Sequence, residues 1–117
     1  MAKDDFNYIE FKILAYYYAW LKGKVVFDDQ VLREVTKGAD DPYFYKVLKS
    51  LSDRSYLEGL TFINAWGNEF FVGNDLSDGA ITAEGYRYLK ENSSMKGALE
   101  YAKTAGELIS TLLPKIF

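Results

Sequence analysis

The chain contains no cysteine and no histidine. The first absence excludes disulfide staples and thiolate metal sites. Together the two remove the strongest nucleophile and the usual general base from any catalytic scheme. Long apolar runs are also missing. None approaches the ~18 residues that a membrane span needs, and Lys12 and Lys22 flank the best candidate. The N-terminal MAKDDFNYIE sets acidic residues ahead of its apolar stretch, and no small-residue cleavage pattern follows it. A signal peptide is therefore not expected, and the cytoplasm is the expected location. No P-loop or dinucleotide fingerprint occurs, because the glycines at 59, 67, 73, 79 and 85 are scattered. These absences argue against an enzyme, and no catalytic residue, metal or cofactor is expected.

Positive charge is scarce where it would matter most. Lys and Arg number 14 against 17 Asp and Glu, a net charge of −3. Residues 1–40 hold 6 basic and 7 acidic side chains, residues 41–93 hold 5 and 8, and residues 94–117 hold 3 and 2. From Gly59 to Ala83 there is no Lys or Arg at all, only Glu69, Asp75 and Asp78. A protein that neutralises phosphates normally shows a basic footprint.

What the chain does have is apolar content, 49% of its 117 residues, ample for one packed core. A single domain over 1–117 is expected, with a core of about 5–92. Phe6, Ile9, Ile13, Tyr16, Tyr17 and Trp20 recur at helical spacing and Gly23 stops the helix, predicting a first helix over 5–22. Phe11, Leu14, Tyr18 and Leu21 add a second apolar face, so this helix is either central to the fold or part of a dimer interface. Val25, Val26 and Phe27 read as a short strand. A second helix over 29–37 buries Val31, Leu32 and Val35. Asp40, Asp41 and Pro42 then form a helix start, and the third helix, over 42–54, turns Phe44, Val47, Leu48 and Leu51 inward.

Two strands follow, over 60–65 and 69–73, with Gly67 and Asn68 in the turn between them. The segment 74–79 is a polar turn. Its Asp75 and Asp78 lack the remaining ligands of a calcium loop and are read as solvated. Thr82 caps a helix to about Glu91. A last helix over 94–113 carries Met95, Ala98, Leu99, Ala102, Ala105, Ile109, Leu112 and Leu113 on one stripe. The doublets Asp4-Asp5, Asp28-Asp29 and Asp40-Asp41 each precede a helix, where capping and the helix dipole account for them.

Helix, two-stranded wing and Thr-initiated helix in that order describe a winged helix. The expected fold is α+β, mainly α, a winged helix with a long C-terminal helix. In such a fold the third helix enters the major groove. Lys46 and Lys49 are then candidate phosphate contacts, with Tyr45 and Ser50 nearer the bases. Against this stand Asp53, the absence of an arginine at the front of the helix to read guanine, and the cation-free wing. Trp66 and Asn68 at the wing turn are candidate contacts for a protein partner. Tyr17, Met95, Leu99, Ala102 and Ile109 are candidate contacts of a homodimer.

The segments LKSLSDRSYLEGL and ITAEGYRYLKENSSMKGALEYAK resemble the YjcQ-like winged-helix proteins of bacteria and their phages. The shared features are the Thr-x-x-Gly helix start after the wing, the Tyr-Leu-x-Glu-Asn ending and the last long helix, and the likeness spans about residues 5–110. The resemblance implies a winged helix of the DNA-binding superfamily and supplies no substrate. Two functions are thus expected from the sequence: a small regulator binding double-stranded DNA, which is preferred because few cations suffice when gathered on one face, or a winged-helix module that binds a protein instead.

Overall fold

A computed structural model describes residues 2–36, 41–65, 67 and 69–92, with side chains from Phe6 onward. The chain is mainly helical with two small antiparallel sheets. Helix α1 (Ala2–Leu21) is followed by α2 (Asp29–Val35) and α3 (Asp41–Asp53). Strands β1 (Leu57–Glu58), β2 (Phe62–Asn64) and β3 (Phe70–Val72) come next, then a single 3-10 turn (Leu76–Asp78), β4 (Ala80–Ile81) and α4 (Ala83–Glu91). The expected helix over 94–113 lies outside the described residues, as do Met95, Leu99, Ala102 and Ile109. Among the described residues no helix is long and apolar enough to cross a membrane.

Helix α1 is the centre of the core. Every side chain from Ile9 to Ala19 except Lys12 is buried, because α2, α3, α4 and β4 all pack against it. Both of its apolar faces are therefore used within the fold, apart from Leu21 at the end of the helix, which is exposed. Its aromatics hold the connection to α2. The Phe27 ring stands 5.3 Å from that of Tyr16, 5.2 Å from Tyr17 and 4.9 Å from Trp20. The Tyr16 hydroxyl donates to the Val26 carbonyl (3.1 Å) and accepts from the Asp28 amide (2.9 Å). Those bonds explain a departure from expectation: Val25–Phe27 is not a strand. A phenol satisfies its main chain where a ladder was expected, and the Val26 side chain points to solvent. The strand that pairs near the end of the domain is β1 instead, with Leu57 opposite Ile81 and Glu58 opposite Ala80.

Local signals decide the helix starts. Asp28 Oδ1 accepts from the amides of Gln30 (2.8 Å) and Val31 (3.4 Å), capping α2. Thr82 Oγ1 accepts from the Gly85 amide (3.1 Å) and donates to the Ser55 carbonyl (2.5 Å), so one hydroxyl caps α4 and ties it to the end of α3. Gly85 lets α4 approach closely, since a Cβ there would lie 2.5 Å from the Tyr56 carbonyl oxygen. On α3 the residues Phe44, Val47, Leu48 and Leu51 are fully buried, as the 3.6-residue period requires.

Candidate functional site

The outer surface of α3 and the β2–β3 hairpin beside it hold the residues marked by the sequence, and the two elements are packed together. Strand β3 lies against α3. In the hairpin Phe62 pairs with Val72, Ile63 with Phe71 and Asn64 with Phe70. Side chains alternate across such a sheet, so Phe62, Phe70 and Val72 face inward and are half-buried, while Ile63 and Phe71 face outward.

Lys46 is exposed on α3. Lys49 is half-buried, and its ammonium lies 2.9 Å from both carboxylate oxygens of Asp53. It also sits over the Phe70 ring at 5.3 Å and the Phe62 ring at 6.0 Å. A surface ion pair contributes about 0.2–1 kcal/mol and a half-exposed cation–π contact about 0.5–1 kcal/mol, so withdrawing Lys49 toward a phosphate would cost only about 1–2 kcal/mol. Asp53 is the more serious obstacle, because it stays on the same face and repels an anion wherever Lys49 goes. Tyr45 and Ser50, expected outside, are half-buried. The Tyr45 ring meets Phe44 edge-on at 5.4 Å, and the Ser50 carbonyl accepts from the Arg54 amide at 3.1 Å.

Trp66 and Asn68 lie outside the described residues. Between them Gly67 turns with φ +57°, as expected for this position. Tyr17 does not belong to a surface. It is 1% exposed, and its hydroxyl donates to the Leu76 carbonyl at 2.7 Å. Burial first, then the charge of Asp29 and the neighbouring Tyr16, push its pKa well up. A phenol committed to the core and to the 3-10 turn has no face left for a second subunit.

Two features went unnoticed in the sequence. One is the outward pair, Ile63 at 43% and Phe71 at 41% exposure. The signal was present: FIN and FFV are apolar in both phases of the strand alternation, so one phase had to face water. The other is a charge inside the fold. Glu10 of α1, 1% exposed, is ion-paired with Arg54 after α3 and accepts from the Tyr88 hydroxyl of α4 at 3.3 Å. Arg54 also stacks over Tyr56 at 4.9 Å. Burial raises the Tyr88 pKa and Arg54 partly opposes that. No group of three or more potential metal ligands occurs among the described residues.

The family model described as YjcQ protein matches residues 11–108. The chain belongs to the YjcQ family. In YjcQ terms, the matched span runs from the middle of α1 through the hairpin and α4, and it leaves out the first half of α1, with Phe6, Ile9 and Glu10. No curated protein and no solved structure matches the chain.

Proposed function

We propose that this YjcQ-family chain is a winged-helix module that acts by binding a protein partner through the outer face of its hairpin. The element order supports the scaffold: α1, α2, α3, a β2–β3 wing framed by the β1–β4 pair, then α4. The observation that carries the functional choice is the disposition of charge. The reading helix keeps Lys49 bound to Asp53 over the wing phenylalanines, and the wing exposes Ile63 and Phe71 where a DNA-binding wing would carry a cation. Paired, adjacent apolar side chains exposed on one face of a hairpin suit contact with a protein.

The test compares variants in capture from host extract and in binding to labelled duplex DNA at low salt. Phe71→Glu is expected to lose the partner that wild type retains, and Lys46→Glu to keep it. Capture that is unchanged by Phe71→Glu, with DNA binding that Lys46→Glu abolishes, would overturn the reading.

Exposed Lys46, beside Tyr45 and one turn from Lys49, favours a second reading as a DNA-binding regulator. That reading expects an affinity that falls steeply with salt. It expects Lys46→Glu together with Lys49→Glu to eliminate binding.

A further inference from the structure

The hairpin has an edge as well as a face, and among the described residues no strand pairs with that edge. Strand β2 pairs only with β3 among the described residues. Its hydrogen-bond parity follows from two flanking bonds. The Ala65 amide donates to the Glu69 carbonyl (3.0 Å), and the Gly73 amide donates to the Thr61 carbonyl (2.7 Å). In an antiparallel ladder such pairs alternate with non-hydrogen-bonded ones. Ile63, between them, therefore turns its amide and carbonyl toward β3, and Phe62 and Asn64 turn theirs away, along the free edge.

Edge strands are normally blunted by a lysine, a proline or a bulge. This one has none of these. From Gly59 to Asn68 the sequence GLTFINAWGN has no charged residue, so two chains of net charge −3 meet no like charge when these segments approach. The pattern is also self-complementary. Two copies of β2 laid antiparallel about Ile63 place Phe62 opposite the other copy's Asn64, each with outward amide and carbonyl, giving reciprocal main-chain hydrogen bonds on both sides of the centre. Centring on the middle residue is the register that pairs the whole three-residue strand.

We infer that β2 is a self-association edge at which two copies of this chain form one continuous sheet, ordered β3, β2, β2 of the second copy, β3 of the second copy. The side chains agree with that register. Ile63 of each copy meets Ile63 of the other, and Phe71 extends the row on either side. Gly73 keeps the row flat, because Ile63 Cδ1 lies only 2.8 Å from where a Cβ on Gly73 would sit. The result is a doubled apolar ladder on the outer face, with a polar edge nowhere exposed between the copies. Such a contact is smaller than the ~1,200 Å² of a stable interface, so the association is concentration-dependent. The inference rests on strand register and neutrality, and stands whether the partner of the outer face is protein or not.

The absence of cysteine makes the test direct, since each introduced thiol is the only one in its chain. The central residues of the paired strands form a non-hydrogen-bonded pair with Cα atoms about 4.5 Å apart, inside the range for a disulfide of about 4.4–6.8 Å. Ile63→Cys is expected to form a covalent dimer under mild oxidation at least tenfold faster than Thr61→Cys or Phe71→Cys, whose equivalent positions lie roughly 14 Å apart along or across the strands. Mixing Thr61→Cys with Ala65→Cys is expected to give the heterodimer, because those positions face each other. Asn64→Pro removes one edge donor without touching the β2–β3 bonds, and is expected to abolish the rise in sedimentation mass with concentration. Equal oxidation rates at 61, 63 and 71, or failure of the 61 and 65 mixture to cross-link, would overturn the proposal.

Discussion

Replacing Arg54 with methionine should destabilise this protein more than removing its partner Glu10, although Glu10 is the deeper residue. Glu10 is 1% exposed on α1 and Arg54 is 41% exposed. Arg54→Met leaves a carboxylate inside the core with the Tyr88 hydroxyl as its remaining described donor, and breaking a buried ion pair in that way costs about 3–5 kcal/mol. Glu10→Gln leaves Arg54 free to turn into water and keeps a side chain that still hydrogen-bonds, so it costs about 1–2 kcal/mol. Urea denaturation followed by circular dichroism separates the two. With a slope of about 2 kcal/mol per M, the arginine variant loses about 2 M in midpoint and the glutamine variant less than about 1 M. Combining the substitutions should recover part of the arginine deficit, since the stranded charge is gone. A larger loss for Glu10→Gln than for Arg54→Met, or strict additivity in the double variant, would refute the view that this pair is governed by desolvation.

Four further outcomes follow from the packing. Burial raises the pKa of Tyr16, Tyr17, Tyr18 and Tyr88 in the folded state. Their contribution to stability is therefore complete below the ordinary tyrosine value of about 10 and is lost as the pH climbs above it toward the raised values. Phenolate absorbance should rise with the loss of helical signal, and full ionisation of the tyrosines in a chain still folded would contradict this. Gly59 has φ +93° and a Cβ there would lie 2.3 Å from the Asp78 carbonyl oxygen, so Gly59→Ala should cost more than about 2 kcal/mol from strain and overlap combined. Gly67→Ala, at φ +57° in open space, should cost about 1–2 kcal/mol from backbone strain alone. Thr82→Val keeps the shape but removes the hydroxyl shared by Gly85 and Ser55; a loss of about 1–2 kcal/mol by thermal melting is expected, and Thr82→Ser should restore most of it.

Much of the fold was legible because the elements were written in local chemistry. The α3 core face follows from a period of 3.6 residues, the α2 start from Asp28 and the α4 start from Thr82, and each needs only near neighbours in the chain. Val25–Phe27 misled for the opposite reason. Its composition suits a strand, but the deciding partner is the Tyr16 hydroxyl in the preceding helix, and propensity carries no information about such a partner. The candidate site was legible in composition and not in arrangement. That α3 offers two lysines and the hairpin none is plain from the residues alone. That Lys49 is held by Asp53 over Phe70 depends on how the hairpin lies against the helix.

By itself, then, the sequence determined the order of the helices α1 to α4 and of the β2–β3 hairpin between α3 and α4, the inward face of α3, the caps and the scarcity of cations between Gly59 and Ala83. Those properties depend on spacing and on side chains a few residues apart. The tertiary structure alone decided that Tyr17 belongs to the core, that Glu10 is a buried charge answered from α4 and the end of α3, and that Ile63 and Phe71 face outward. These depend on contacts between residues 44 to 78 positions apart, or on which of two apolar strand phases a neighbouring helix covers. Pattern can propose both phases of such a strand, but only packing selects one.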